Sequence, residues 1–172
     1  MRILKLIFWF NLLTVASPLT AYSTVQDLTG VPTGEIVKAG LCVQNQVTTR
    51  YTQPQSTAGY ATTGPLAIVR ETTSIPLQKD TGFGFTWKAK NLPPQAEVVY
   101  LVEHPPITRP DGVTLDHFEE PLLMQSRGGE IESIDCYQLS EDYELVPGQW
   151  SLSIHYQGRQ LIRQTFHVHP SK

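Results

Sequence analysis

The sequence predicts an all-β fold, an antiparallel two-sheet β-sandwich of about seven to nine short strands. Three observations carry this. After position 23, apolar residues recur with period two far more often than with period 3.6, the signature of strands half-buried in a sheet. Turn chemistry separates these runs, as at Asn91-Leu92-Pro93-Pro94, Pro147-Gly148 and Gly158. The 149 residues after position 23 of this 172-residue chain form one domain of ordinary size, able to bury roughly 68–70% of its unfolded surface.

Residues 1–23 are set apart from this pattern. Arg2 and Lys5 precede an apolar run from Leu6 to Leu13, Pro18 closes it, and Ala21-Tyr22-Ser23 supplies the small residues a signal peptidase reads. The expectation is a signal peptide over 1–23, a mature start at Thr24 and a linker over 24–34. The domain then spans 35–169. The apolar run falls short of the about 20 residues a membrane span needs, so the mature chain is expected to be exported, to periplasm or medium, without membrane insertion. Without residues 1–23 it carries 11 Lys and Arg against 16 Asp and Glu. That acidic balance argues against nucleic acid and anionic lipid as partners.

The first expected strand lies within 34–47, around Cys42. Residues 48–64, rich in Thr, Gln, Ser, Gly and Pro with Tyr51 and Tyr60, read as a long flexible loop. Leu66 to Thr72 is a strand carrying Ile68 and Val69. The clearest strand is 83–90, with Phe83, Phe85, Trp87 and Ala89 on one face and Gly84, Thr86, Lys88 and Lys90 on the other. Prolines 93 and 94 end it, because they lack a donor and force a turn. In the next strand, Glu97 to Glu103, apolar residues occupy both faces, which places it centrally. Near the C-terminus, Trp150, Leu152, Ile154 and Tyr156 alternate with Ser151, Ser153, His155 and Gln157. A three-residue loop, Gly158-Arg159-Gln160, would pair Tyr156 with Ile162 and Leu152 with Phe166.

Two cysteines, Cys42 and Cys136, would meet an oxidising compartment after export. A disulfide between them would close a long loop and contribute about 4 to 5 kcal/mol on loop-closure grounds. The alternative is two buried thiols, since pairing depends on a Cα separation the sequence does not give.

Phe83-Gly84-Phe85, His104-Pro105-Pro106 after a Val-rich strand, and Glu144-Leu145-Val146-Pro147-Gly148-Gln149-Trp150 followed by Phe166-His167-Val168 together resemble a family of small exported bacterial proteins, domain of unknown function 3859. The resemblance covers roughly Glu35 to His169. It implies an immunoglobulin-like β-sandwich of bacterial envelope type, and no activity or catalytic residues come with it. The tyrosine that antibody-type domains place two residues before a late cysteine is replaced here by Ile134.

No nucleophile elbow, zinc-protease, phosphate-loop or dinucleotide motif occurs, so the chain reads as non-catalytic. The enzymatic alternative, a hydrolase or an inhibitor of one, would use His104 or His117 beside Asp111, Asp116, Glu119 and Glu120, on a region (104–120) read as a proline-stiffened connection. His155, His167 and His169 share the polar face of the last hairpin, but that register keeps His155 roughly 13 Å from the level of His167, too far for one ion. Ten carboxylates lie between Asp111 and Glu144 with Arg127 the only cation. Asp135, Glu141, Asp142 and Glu144 could offer oxygens to calcium, but they follow no calcium-loop spacing, and they read instead as a charged edge that discourages strand-to-strand aggregation. No metal or cofactor is expected. Phe83, Phe85 and Trp87 read as core rather than as a sugar platform.

The sequence-based reading is therefore an exported binding or accessory module with an unidentified protein or glycan partner in the cell envelope. Tyr51, Tyr60, His104 and Asp111 are its candidate contact residues. The structural alternative is a subunit or assembly aid that works through a sheet edge.

Overall fold

The computed structural model describes residues 30–170; the expected signal peptide and most of the expected linker lie outside them. The elements are β1 (Thr33–Gln44), β2 (Thr49–Thr52), β3 (Tyr60–Thr63), β4 (Leu66–Glu71), β5 (Ser74–Leu77), β6 (Gly82–Lys90), β7 (Gln95–Thr108), β8 (Thr114–Gln125), β9 (Ile131–Gln138), a one-turn 3-10 helix (Asp142–Glu144), β10 (Gly148–Tyr156) and β11 (Arg159–Pro170). They form an all-β sandwich, with eleven strands rather than the seven to nine expected. One sheet has the order β4-β1-β6-β9, the other β5-β11-β10-β7-β8, and β2-β3 is a separate hairpin. Every pairing is antiparallel except β11 with β5.

The core follows from alternation. In β6 the side chains of Phe83, Phe85, Trp87 and Ala89 are fully buried, while Thr86 and Lys88 on the other face are only partly so. They meet Val98 and Val102 of β7, Trp150, Leu152 and Ile154 of β10, and Phe166 and Val168 of β11 in one cluster. Phe83 stands edge-on to Trp150 at a centroid distance of 5.7 Å and tilted against Phe166 at 5.2 Å, the offset geometries aromatic quadrupoles prefer. β7 lies between β10 and β8, as the apolar residues on both its faces suggest.

Cys42 and Cys136 are bonded, with Cα atoms 6.4 Å apart. They belong to β1 and β9, which both pair with β6: Cys42 is opposite Gly82, and Cys136 opposite Gly84. In a flat sheet two strand spacings, with the two-residue offset from Gly82 to Gly84, would separate them by about 12 Å, so the sheet curls over these glycines. A Cβ at Gly84 would lie 2.1 Å from the Asp135 carbonyl oxygen and one at Gly82 2.5 Å from that of Cys42, so both positions require glycine.

Three local expectations need correction. The β10-β11 turn has two residues, Gln157 and Gly158, both with positive φ, instead of the three-residue loop. A bulge between Ile154 and His155 takes up the difference, so Ile154 pairs with Ile162 and Trp150 with Phe166. Without that bulge a two-residue turn would set Leu161 opposite Ile154 and turn the apolar side of β11 outward. The 48–64 segment, expected as a loop, carries the β2-β3 hairpin, with Tyr51 opposite Ala61 and Thr52 opposite Tyr60. The 104–120 region is mostly strand: His104 lies on the buried face of β7, which continues to Ile107, and Asp116, His117, Glu119 and Glu120 lie in β8, so only the turn over 109–113 is a connection. Pro105 and Pro106 lack N–H groups, so pairing with β8 breaks after Glu103 and resumes at Ile107 opposite Leu115.

Candidate functional site

The sandwich is open on the side where β9 ends one sheet and β8 ends the other, and the β2-β3 hairpin roofs that opening. The cleft beneath has a volume of about 520 Å³ and is lined by β1, the hairpin, β7, β8 and β9. Alternation decides what faces it. On β8, Phe118, Glu120 and Leu122 are opposite Val102, Tyr100 and Val98, so Glu120 shares their inward face. On β9, Asp135 is opposite Phe85 and Tyr137 opposite Phe83, also inward. Each edge strand thus directs a carboxylate into the mouth of the core.

These groups have defined partners. The Trp87 indole N–H donates to Asp135 Oδ2 at 2.6 Å. Burial pushes the Asp135 carboxyl above its ordinary range, the Trp87 bond works against this, and the charge of Glu120 adds to it. Tyr51 donates to Glu120 at 3.1 Å and Tyr60 to Glu141 at 3.1 Å, while the Arg50 guanidinium caps the Tyr60 ring at 3.5 Å. The Tyr100 hydroxyl is buried and has no hydrogen-bond partner.

At the inner end, Glu144 is fully buried on the 3-10 turn. One carboxylate oxygen accepts from the Tyr137 hydroxyl; the other accepts from the backbone N–H groups of Ser140 and Glu141 at 2.9 and 2.8 Å. Burial raises its pKa, and these three donors oppose the rise. The Tyr137 hydroxyl is held far above its ordinary value, first by burial and then by the adjacent carboxylate.

Of the candidates read from the sequence, Tyr51 and Tyr60 line this cleft and His104 and Asp111 do not. His104 is buried and stacked on Trp150 at 4.8 Å. Its Nδ1–H donates to the Pro105 carbonyl at 2.8 Å, which leaves Nε2 to accept from the Thr57 hydroxyl at 2.9 Å. Asp111 sits in the β7-β8 turn, bound to Arg109 at 2.6 Å and to the Val113 N–H at 3.1 Å. Among the described residues no hydrogen bond or ion pair joins His104 to Asp111. Arg109 instead reaches the Pro54 carbonyl at 2.6 Å, so it and His104 anchor the hairpin roof. The acidic candidates separate likewise: Asp135 goes to Trp87, Glu141 to Tyr60, Asp142 to Lys79 and Glu144 to Tyr137.

His155 pairs with Gln160, seven positions along β11 from His167, roughly 23 Å at strand rise. Among the described residues no three His, Cys, Asp or Glu side chains are disposed to hold a metal ion, and no helix is long and apolar enough to cross a membrane.

Two facing sheets, almost wholly antiparallel and packed on one aromatic core, define the class as an immunoglobulin-like β-sandwich, and the disulfide lies within one of them. An immunoglobulin-like protein of Pseudomonas aeruginosa of known structure shares it, with 21% identity and a TM-score of 0.56 over 79% of this chain and 96% of that one. The chain belongs to the family described as domain of unknown function (DUF3859), which matches residues 31–168. A weaker likeness, at 10% identity and a TM-score of 0.39, covers 56% of this chain and 27% of the alkylpurine DNA glycosylase AlkC of Pseudomonas fluorescens. No curated protein matches the chain.

Two predictions follow from the buried polar groups. Glutamine at 144 offers one acceptor oxygen and turns an NH2 group toward a donor, so Glu144→Gln should lower stability by about 2–3 kcal/mol in urea unfolding; an unchanged midpoint would contradict the bonding described. Burial, partly offset by the Pro105 bond, lowers the His104 pKa from 6.5. The folded state then binds fewer protons at this residue than the unfolded chain, so its contribution to stability is complete above pH 6.5 and lost as pH falls through the folded value. The stability difference between wild type and His104→Gln should therefore shrink between neutral pH and pH about 5; a pH-independent difference would show His104 to be unperturbed.

Proposed function

We propose that this chain is an exported, non-catalytic binding module of the bacterial envelope, and that the cleft between β8 and β9 is where it binds. The observation that carries the reading is the polar mouth of an otherwise apolar core. Inward carboxylates and an unpartnered buried hydroxyl do not serve packing, and the cleft falls within the 300–1,000 Å³ usual for ligand sites. The signal-like segment and the Cys42–Cys136 disulfide support export, because such bonds persist in oxidising compartments. Tyr51 and Tyr60 at the rim suit partner recognition, whether the partner is protein or glycan.

The hydrolase alternative rested on His104 or His117 acting beside the acidic residues of 104–120; His117 is exposed on β8, bonded to its neighbour Asp116 at 2.7 Å and outside the cleft lining. Both ring nitrogens of His104 are engaged and the side chain is sealed under the hairpin, which leaves it poorly placed to meet a substrate. The sheet-edge alternative has β4 in its favour, an outer strand with Val69 exposed, but Arg70 and Glu71 beside it blunt that edge.

Filling the cleft tests the reading. Leu122→Trp places an indole in the mouth and should abolish cross-linked capture of the wild-type partner from native envelope, while Val69→Lys on β4 leaves capture unchanged. Capture that survives in folded Leu122→Trp and is lost in Val69→Lys would transfer the function to the sheet edge.

A further inference from the structure

The cleft has a charge composition that packing does not explain. Asp80, Glu120, Asp135 and Glu144 line it, and none of its lining residues is Lys, Arg or His. Among the described residues, Glu120, Asp135 and Glu144 take part in no ion pair. Two cations lie against lining residues and both are engaged: Arg50 caps the Tyr60 ring, and Arg109, which reaches the Ser56 carbonyl at 3.5 Å, is paired with Asp111. Glu144 is satisfied by its three donors and Asp80 is exposed to solvent, so the uncompensated charge within the cleft is that of the inward pair Glu120 and Asp135.

A second, independent observation lies between them. Tyr100, opposite Glu120 on β7, is only 4% exposed and lines the same cleft, yet its hydroxyl is unpartnered. Leaving a buried hydroxyl unpaired costs about 1–3 kcal/mol, a cost that a bound ligand would remove. Tyr51, Tyr60 and Tyr137 add further rings and hydroxyls to the walls. Aromatic faces with carboxylates in a partly desolvated cleft suit an organic cation. The carboxylates form no cage for a metal ion, and a neutral sugar would leave both charges uncompensated.

We propose that this cleft binds an alkylammonium group, such as a polyamine or a lysine side chain carries, with Glu120 and Asp135 as counter-charges and the Tyr100 hydroxyl accepting one of its N–H bonds. The inference rests on the reading of the chain as a binding module and supplies the chemistry of its ligand. The Asp135 carboxyl is raised chiefly by burial and to a smaller extent by the Glu120 charge, and a cation held between the two would act against both.

Trp87 provides a local reporter, because its indole N–H is bonded to Asp135. The 15N-labelled mature protein is titrated with spermidine, with Nα-acetyl-lysine amide and with the uncharged Nα,Nε-diacetyl-lysine amide, and the indole resonances of Trp87 and Trp150 are followed. Both amines, or one of them, should shift Trp87 saturably while the diacetyl probe does not. Spermidine alone identifies a free amine as the ligand; the lysine amide identifies a side chain. Glu120→Gln should weaken binding about tenfold and Tyr100→Phe severalfold, with Trp150 unshifted as the control for folding. No amine-induced shift at millimolar concentration, or an equal shift with the diacetyl probe, overturns the proposal. A shift with neutral oligosaccharides and none with amines would do so while leaving the binding-module reading intact. Silence to every probe, together with failure of partner capture, would remove both.

Discussion

The constraint on which the rest of this structure depends is that its two edge strands cannot be closed dry against each other. β8 and β9 each present a carboxylate, Glu120 and Asp135, on the face that should be core. Bringing those faces together without water or a counter-charge would strand two anions in a low-dielectric interior, which costs far more than apolar contact returns. The sandwich therefore packs tightly at its centre, around Phe83, Trp150 and Phe166, and stays open at one side. The hairpin covers that opening, and the space under it is the cleft.

The way the roof is attached explains several residues that would otherwise look misplaced. Thr57 is fully buried in a segment of small polar residues because it bonds His104. Tyr51 and Tyr60 end on Glu120 and Glu141, Arg109 reaches the Pro54 carbonyl, and the Tyr143 hydroxyl reaches that of Ala58 at 3.3 Å. Such a cover is held by hydrogen bonds, each contributing about 1 kcal/mol net, and not by apolar burial. Beneath it, the disulfide across Gly82 and Gly84 draws β9 toward β1 and so sets the position of Asp135, the residue before Cys136.

The fold was largely legible because its core strands are strongly amphipathic: alternation in 83–90 and 150–156, and apolar residues on both faces of 97–103, place β6, β10 and β7 without reference to anything else. The site was not legible, for identifiable reasons. The hairpin has no alternating apolar residues, since its bonds run to side chains and carbonyls far away in the chain. The proline pair at 105–106 looks like a loop, whereas it is an interruption inside a long strand, and that reading hid the strand character of 114–125. Once β8 is recognised, the inward phase of Phe118, Glu120 and Leu122 follows from period two. Tyr100 gave no signal, because an inward tyrosine in a core strand usually has a partner for its hydroxyl, and only the assembled structure shows that this one does not.

The hairpin is a cover added to a complete sandwich, and removing it tests this most directly. The Thr48 N–H is bonded to the Thr63 carbonyl at 2.8 Å, so a short glycine linker can replace residues 49–63 without stretching the chain. The account predicts that this variant still forms the Cys42–Cys136 bond, keeps the near-ultraviolet dichroism of Trp87 and Trp150, and unfolds cooperatively with a loss of about 2–4 kcal/mol from the hydrogen bonds removed. A variant without a cooperative transition would show that the hairpin is part of the core, and that the opening between β8 and β9 is not a site the sandwich maintains on its own.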